Sequence, residues 1–289
     1  MTIDIIIPST NGLELFKKHL PSAISNTPNL NKIIIIDNAS TDDSIVYAKS
    51  LSSKVEVIRN NTNKVYTAAI NQGAKRSNAD LIIVLNNDVH VFKGYLDNAL
   101  KLFKDPKLFA VTFNEEESSY PEICWKGKFE YQKSRVKDKL ALSPLASGGS
   151  AIFRKSIWDE IGGFNEVYSP GYWEDIDLGW TAWRSGYEIL FDPSAKVKHQ
   201  HESTFSQTNQ SKLQLIKERN ELLFNWQHFL SKEYGLSHLY LIVAHTFLHP
   251  GYIKVVFLAL IKISQLRKLK CRYTSAEVFK KLNDKKEFN

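Results

Sequence analysis

Four short apolar runs punctuate the first third of the chain: Ile3–Ile7, Lys32–Ile36, Val55–Arg59 and Leu81–Leu85. Each is about the length of one strand and rich in Ile, Val or Leu, with Asp4 and Glu56 the charged residues inside the first and third. Between them lie stretches of helical character, Leu13–Ser25, Thr41–Leu51 (with Thr41 or Asp42 as its cap) and Thr67–Ser77. Apolar strands alternating with helices predict a mainly parallel α/β sheet covered on both faces. In such sheets ligands bind at the carboxyl ends of the strands. Asp37 and Asp88 both stand at such ends, directly after apolar runs.

The pattern beyond is less regular. Phe92–Phe103 reads as a helix, and the charged segment Glu115–Lys139 as a loop crossing the active face. Ala151–Phe153 reads as a strand, Lys155–Ile161 as a helix stopped by Gly162-Gly163, and Asp175–Ser185 as a helix ending at Gly186. Glu188–Phe191 and Ala195–Lys198 read as two short strands, and long helices begin at Lys212. No internal repeat or low-complexity segment is visible. The division expected is a catalytic domain over 1–205 and a helical, basic extension over 206–289.

With 289 residues, 43% hydrophobic and 24% charged, the chain can bury a sizeable core. Cys124 and Cys271 match no ligand spacing, which argues against a disulfide framework or structural zinc and for a reducing compartment. The N-terminal MTIDIIIPST has no basic stretch leading into a longer apolar one, so no signal peptide is expected and the reading is cytoplasmic. The net charge of +7 is uneven: residues 1–205 carry 24 Lys+Arg against 25 Asp+Glu, and residues 206–289 carry 14 against 6. A local anionic partner for the tail fits this better than a nucleic-acid binder.

Five constellations bear on chemistry. Asp37, closing Ile33–Ile36 and followed by Asn38-Ala39-Ser40, can accept hydrogen bonds from a base or ribose, or form an ordinary Asx-capped turn. Asp88 in Asn86-Asn87-Asp88 can ligate Mg²⁺ or Mn²⁺ through oxygen, or simply end a turn. Glu174-Asp175-Ile176-Asp177, beside Tyr172 and Trp173, offers a carboxylate against an apolar wall, as a general base needs, and also suits a helix N-terminus. His199 and His201 share a face if Val197–His201 is a strand; neutral imidazole ligates metals such as Mn²⁺, and both also read as ordinary surface histidines. Gly148-Gly149 permits close approach to a substrate, or is a bend.

Taken in order, these pieces resemble family 2 glycosyltransferases of the GT-A fold. The matching stretches are IDIIIPSTNG, IIIIDNASTDDS, NNTNKVYTAAINQGAKRSNADLIIVLNNDV, SGGSAIFRK, IGGFNEVY, YWEDIDLGWTAWRSGYEI and DPSAKVKHQHES, within residues 3–203. The resemblance implies that Pro8, Ser9 and Asn11 line a nucleotide pocket. It implies that Asp37 hydrogen-bonds a uracil or thymine with Asn38 and Ser40 nearby, and that Asn71 flanks the donor. Asn87 and Asp88 would occupy the Asp-x-Asp metal position, with Asp88 the ligand. Gly148 and Gly149 would face donor sugar and acceptor. Asp175 would be the catalytic base supported by Glu174, and His199 a ligand to Mn²⁺ or Mg²⁺, with His201 in reserve. Two departures stand out. The first carboxylate of the metal motif is Asn86 here, and Asn63–Thr67 replaces a glycine-rich stretch, leaving Lys64 either at a phosphate or in solvent.

The implied reaction is inverting transfer from a UDP- or dTDP-sugar to a saccharide or lipid-linked saccharide, as in the rhamnosyltransferase-like enzymes of bacterial surface polysaccharides. In the tail, Leu236–Ile263 is apolar but interrupted by His245, His249, Pro250, Gly251 and Lys254, too broken for a span. Lys262–Lys281 then carries seven Lys+Arg and one Glu. The pair fits an amphipathic segment lying peripherally on an anionic leaflet, or a helical appendage with solvated charges. Two other functions compete. A nucleotidyltransferase would need a basic, Gly-rich loop after the first strand, where Pro8-Ser9-Thr10-Asn11-Gly12 has no cation. A non-catalytic sugar-binding scaffold would have no need of Asp88, Glu174, Asp175 and His199.

Overall fold

The computed structural model describes residues 1–115, 121–133, 138–200 and 210–284. The first half runs β1 (Ile3–Ser9), α1 (Leu13–Asn26), β2 (Leu30–Asn38), α2 (Ser44–Leu51), β3 (Val55–Asn60), α3 (Tyr66–Arg76) and β4 (Leu81–Leu85). It continues with β5 (Val89–Val91), α4 (Ala99–Leu102), β6 (Leu108–Glu115), β7 (Pro121–Trp125), β8 (Phe129–Lys133), β9 (Ala141–Leu142) and β10 (Ser150–Arg154). The last part is α5 (Lys155–Ile161), α6 (Glu174–Ser185), β11 (Glu188–His199), α7 (Gln210–His228), α8 (Gly235–Leu248), α9 (Ile253–Lys262) and α10 (Ser275–Asp284).

The four apolar runs become adjacent parallel strands in the order β3-β2-β1-β4, and the sheet continues through β10, β6, β11 and β5, with β9 also on β11. Ile5, Ile6, Ile33–Ile36 and Ile82–Val84 are fully buried because helices cover both faces. Helix α3 lies so close to the sheet that a Cβ on Gly73 would come within 2.4 Å of Ile6 Cγ2. Only hydrogen fits between helix and strand there.

Register decides what reaches the carboxyl edge. Ser9 pairs with Asp37, and Asp37 with Arg59, across β1, β2 and β3. β10 runs antiparallel between β4 and β6, placing Ser150 opposite Leu85, so Gly149 accompanies Asn86 just beyond the strands. β11 pairs antiparallel with β5, His199 opposite Val89. Residues far apart in sequence thus share one rim.

The structure departs from the sequence reading in four places. Phe92–Phe103 is helical only over Ala99–Leu102. Gly94 takes a positive φ and the segment before α4 closes successive turns, although the apolar side chains still bury Tyr95, Leu96 and Phe103. Within Glu115–Lys139, residues 121–133 form the hairpin β7–β8 rather than a loop; Phe129 N donates to Asn225 Oδ1 of α7 at 2.9 Å. β11 is one strand with an irregularity between Asp192 and Lys196, where Pro193 interrupts pairing, instead of two strands. The N-cap position of α2 is Asp43 rather than Thr41 or Asp42, and its side chain makes no capping bond; Asp42, one residue earlier, accepts from both the backbone N–H and the hydroxyl of Ser44.

Helices α7 and α10 are joined to the rest through aromatic rings. Phe129 of β8 meets Trp180, Phe224, Phe229 and Phe279 at centroid distances of 5.1–6.0 Å, and Trp173 lies 5.1 Å from Phe224. Trp180 Nε1 donates to Ser275 Oγ at 3.1 Å. The residues next to Asp175 are therefore held partly by the C-terminal helices.

Candidate active site

The rim holds two clusters. The first lies beyond β1–β3. Asp37 is fully buried; its Oδ1 accepts from Ser40 N at 3.0 Å, while Oδ2 has no hydrogen bond and faces Arg59 Nε at 3.5 Å. A buried carboxylate oxygen with a free lone pair suits an N–H donor such as a pyrimidine imide. Ser40 Oγ accepts from Asn11 N at 2.9 Å, and Asn11 Oδ1 accepts from Thr41 N at 2.8 Å, which fixes Asn11 at a φ of 50°. Asn38 donates to Lys64 O at 3.1 Å and accepts from Asn60 at 3.0 Å. Ser9, directly after Pro8, accepts from Asn87 Nδ2 at 3.1 Å. Pro8, Ser9, Asn11, Asp37, Asn38, Ser40 and Asn87 thus form one cluster.

The second lies beyond β4, β10 and β11. Asp88 is buried, and its Oδ1 is 3.0 Å from His199 Nε2. The other ring nitrogen, Nδ1, faces Glu115 Oε1 at 3.3 Å. Burial lowers the affinity of His199 for a proton, but the hydrogen bonds to Asp88 and Glu115 outweigh it and raise the pKa to about 9. Alternation along Asn86-Asn87-Asp88 sends Asn86 to this side and Asn87 to the nucleotide side: Asn86 Nδ2 stands 3.5 Å from His199 Nε2. A Cβ on Gly149 would meet Asn86 Nδ2 at 2.4 Å, so a glycine is required there. Gly148 lies across from Asp175, where a Cβ would make ordinary contact at 3.5 Å.

Among the described residues no three His, Cys, Asp or Glu side chains converge into a metal cage. A nucleotide-bound Mg²⁺ or Mn²⁺ does not need one, because phosphate oxygens and water complete its shell. Asp88 and His199 fit that requirement. They are adjacent and shielded, and Glu115 holds the far ring nitrogen in the carboxylate–histidine arrangement common behind metal ligands. His201 lies outside the described residues.

Glu174 and Asp175 open α6. Burial raises the carboxyl of Glu174, and the neighbouring charge of Asp175 adds to it, to about 8; its Oε2 has no hydrogen-bond partner. Asp175 is also raised by burial, but it is only half-buried, and the backbone N–H groups of Ile176 (2.8 Å) and Gly148 favour its charged form. Both carboxyls are thus pushed up and titrate as a coupled pair, with the backbone N–H groups at Asp175 favouring its charged form and no hydrogen bond reaching Glu174 Oε2. Tyr66 bridges the two carboxylate groups. Its hydroxyl donates to Gly148 O and meets Asn86 Oδ1 at 3.1 Å, and burial, with the charges of Glu174, Asp175 and Asp88, holds its pKa well above the ordinary phenol value.

Asn71 lies on α3; its amide donates to Phe164 O at 2.8 Å and accepts from Phe164 N at 3.0 Å, which ties that helix to the turn before α6.

The profile of glycosyl transferase family 2 matches residues 4–162, more than half of the chain. The chain belongs to glycosyl transferase family 2. Among curated proteins, O-antigen chain rhamnosyltransferase RfbN of Salmonella typhimurium is 28% identical over 218 residues, covering 71% of this chain and 68% of the relative. An uncharacterized glycosyltransferase of Rickettsia prowazekii, RP339, is 25% identical over 276 residues, covering 91% and 85%. Among solved structures, GalNAc-T7 with UDP, GalNAc and Mn²⁺ superposes with a TM-score of 0.73 at 17% identity, over 97% of this chain and 56% of that one. Staphylococcus aureus TarS with UDP-GlcNAc gives 0.62 at 14%, over 92% and 82%. This chain spans about two thirds of RfbN and just over half of GalNAc-T7. The fold is GT-A, and the family 2 glycosyltransferase presents its two clusters on the edge where that fold binds ligands.

Three contributors to this rim had no signal in the sequence reading: Tyr66, Glu115 and Asn220. Tyr172 and Trp173, just before Glu174 and Asp175, have φ of 69° and 77°, a conformation costing about 1–3 kcal/mol per non-glycine residue. The side chain of Asn220, fully buried in α7, donates to the carbonyls of Tyr168 (2.7 Å), Gly171 (2.9 Å) and Tyr172 (2.9 Å). Arg219 adds a bond to Ser169 O at 2.6 Å and fixes Asn220 Oδ1 at 2.7 Å. The strained segment is thereby tied to α7. Asn220→Ala is expected to lower kcat by about tenfold to a hundredfold, with nucleotide-sugar KM little changed and the fold retained; steady-state kinetics with circular dichroism checks this. An unaltered kcat would mean the clamp does not position the base.

Glu174 yields a pH effect on stability. Its folded pKa of about 8 exceeds the unfolded value of 4.5, so the folded chain binds the extra proton between these limits. Its stabilising contribution is complete below pH 4.5 and is lost as pH rises towards 8. Glu174→Gln carries no such proton, so its melting temperature is expected to gain on the wild type between pH 5 and 9. Parallel profiles would place the proton elsewhere.

Proposed function

We propose that this glycosyltransferase transfers a sugar with inversion from a UDP- or dTDP-linked donor to a hydroxyl of a saccharide or lipid-linked saccharide, in the assembly of a cell-surface polysaccharide. Residues 1–205 form the catalytic unit in this reading and 206–289 an extension to it. The observation that carries it is the asymmetry of the Glu174–Asp175 pair: Glu174 is buried with no partner at Oε2, whereas Asp175 is less buried, accepts from the backbone N–H of Ile176 and lies next to Gly148. RfbN, by its name an O-antigen chain rhamnosyltransferase, supplies the analogy for the acceptor. TarS and GalNAc-T7, solved with UDP-GlcNAc and with UDP, supply it for the donor.

In this mechanism the Asp37–Ser40 cluster holds the base and ribose, and Ser9 with Asn87 lies between the nucleoside and the reacting centre. A divalent cation held by Asp88 and His199 would neutralise charge on the diphosphate leaving group. Asp175 accepts the proton of the acceptor hydroxyl while that oxygen forms its bond to the anomeric carbon and the carbon–phosphate oxygen bond breaks. A single displacement inverts the centre. Glu174, being neutral, neither competes for the proton nor repels the donor phosphates. Tyr66 keeps Gly148 and Asn86 at a fixed separation beneath the sugar.

Asp175→Asn is expected to reduce transfer by about 100- to 10,000-fold, the usual worth of a general base, with nucleotide-sugar binding retained. Glu174→Gln, which mimics the protonated acid, is expected to keep most activity. The reverse ranking would exchange the roles. EDTA is expected to suppress turnover and Mn²⁺ or Mg²⁺ to restore it; a rate indifferent to chelator would remove the cation from this scheme.

A further inference from the structure

Helices α8 and α9 turn an unusual surface outward. Among the described residues, twelve of the seventeen exposed large apolar side chains fall between Leu230 and Ile263. On α8, Leu236, Tyr240, Val243 and Phe247 recur at three- and four-residue steps, so they form one stripe; Phe247 is 86% exposed. On α9, Ile253, Phe257 and Leu260 do the same, while Val255 and Ala259 on the opposite side are buried. Exposed apolar stripes on two consecutive helices mark a contact surface rather than ordinary scatter.

Its charge selects the partner. Between Glu233 and Glu277 the chain has no Asp or Glu and six Lys or Arg. Two of these point inward: Lys262 donates to Val167 O at 2.9 Å, and Arg267 donates to the carbonyls of Gly162, Gly163 and Phe164 at 2.7–2.9 Å. The other four, Lys254, Lys268, Lys270 and Arg272, are exposed. A second copy docking here would bring the same positive excess against itself. An anionic bilayer supplies both the apolar depth and the opposite charge. The 14 residues of α8 and 10 of α9 span about 21 and 15 Å, short of the ~30 Å hydrocarbon core, and no described helix is long and apolar enough to cross.

We propose that the α8–α9 pair is a monotopic docking surface for an anionic lipid bilayer, with its apolar stripes lying at the headgroup boundary and the exposed lysines against the lipid phosphates. This deepens, and for its purpose rests on, the reading of a lipid-linked acceptor; the binding itself requires no acceptor. The contact centres on α8 and α9, and Lys262 and Arg267 take no part in it because they serve the internal packing.

Flotation of the full-length protein with phosphatidylcholine vesicles, with and without phosphatidylglycerol, tests it. The wild type is expected to float with the anionic vesicles and to be released as salt rises. Phe247→Ser combined with Phe257→Ser is expected to weaken binding by at least about tenfold, and Lys254→Glu with Lys268→Glu and Lys270→Glu to abolish the preference for anionic lipid. Melting temperature and nucleotide-sugar binding, measured on the same samples, should be unchanged in every variant. Wild type that stays at the bottom with both vesicles, or serine variants that float equally, would overturn the proposal. So would a concentration-dependent dimer in sedimentation velocity that the serine substitutions dissolve. Loss of nucleotide-sugar binding in the wild type would instead count against the transferase reading alone.

Discussion

Strand register is the constraint on which the site depends. Ser9, Asp37 and Arg59 are lateral neighbours because β1, β2 and β3 pair in one register, and a slip of one residue would turn Asp37 to the opposite face of the sheet. The same holds where the sheet changes direction. Antiparallel β10 carries Gly149 to Asn86, and antiparallel pairing of β11 with β5 carries His199 to the side of Asp88. Buried isoleucines set these registers, so the core specifies the chemistry at its edge.

That edge concentrates negative charge. Asp88, Glu115, Glu174 and Asp175 lie close enough that three of them bear on Tyr66 and two on His199. A diphosphate entering such a place would meet repulsion unless charge is removed. Burial of Glu174, which favours its neutral form, lowers that charge, and a cation held by Asp88 and His199 would offset more. The replacement of the first carboxylate of the metal motif by Asn86 acts in the same direction: an amide there takes part in the Tyr66 and Gly149 contacts without adding a further charge.

The strands and the acidic residues that end them were legible in the sequence because their signal is local. An apolar run followed by Asp needs no distant partner to be noticed, and Asp37, Asp88 and Asp175 all follow from such signals or from the resemblance built on them. Tyr66, Glu115 and Asn220 were not legible for the opposite reason. Their significance lies in contacts 82 residues away for Tyr66 with Gly148, 84 for Glu115 with His199, and 48–52 for Asn220 with the segment before α6. Nothing in the local composition distinguishes Asn220 from the other polar residues of α7. The hairpin β7–β8 was missed because its few apolar residues, Ile123 among them, sit among charged ones; Trp125 and Phe129 find their partners in rings distant in sequence such as Phe229 and Tyr234, which leaves little periodicity to read.

The C-terminal helices therefore serve two directions at once. Inward, α7 and α10 complete the aromatic core and hold the strained residues ahead of Asp175, and Lys262 and Arg267 bond the carbonyls of the same 161–167 region. Outward, α8 and α9 present an apolar, basic surface. Deleting residues 206–289 would remove both, and loss of activity after such a deletion would say nothing about lipid. The outward residues can be changed one at a time because none of them touches the clamp. A membrane seated on α8 and α9 would in turn bear on α7, against which α9 packs, and so on the Asn220 contacts to the segment ahead of Asp175. Acceptor-bearing lipid and catalytic geometry would then meet through one helix.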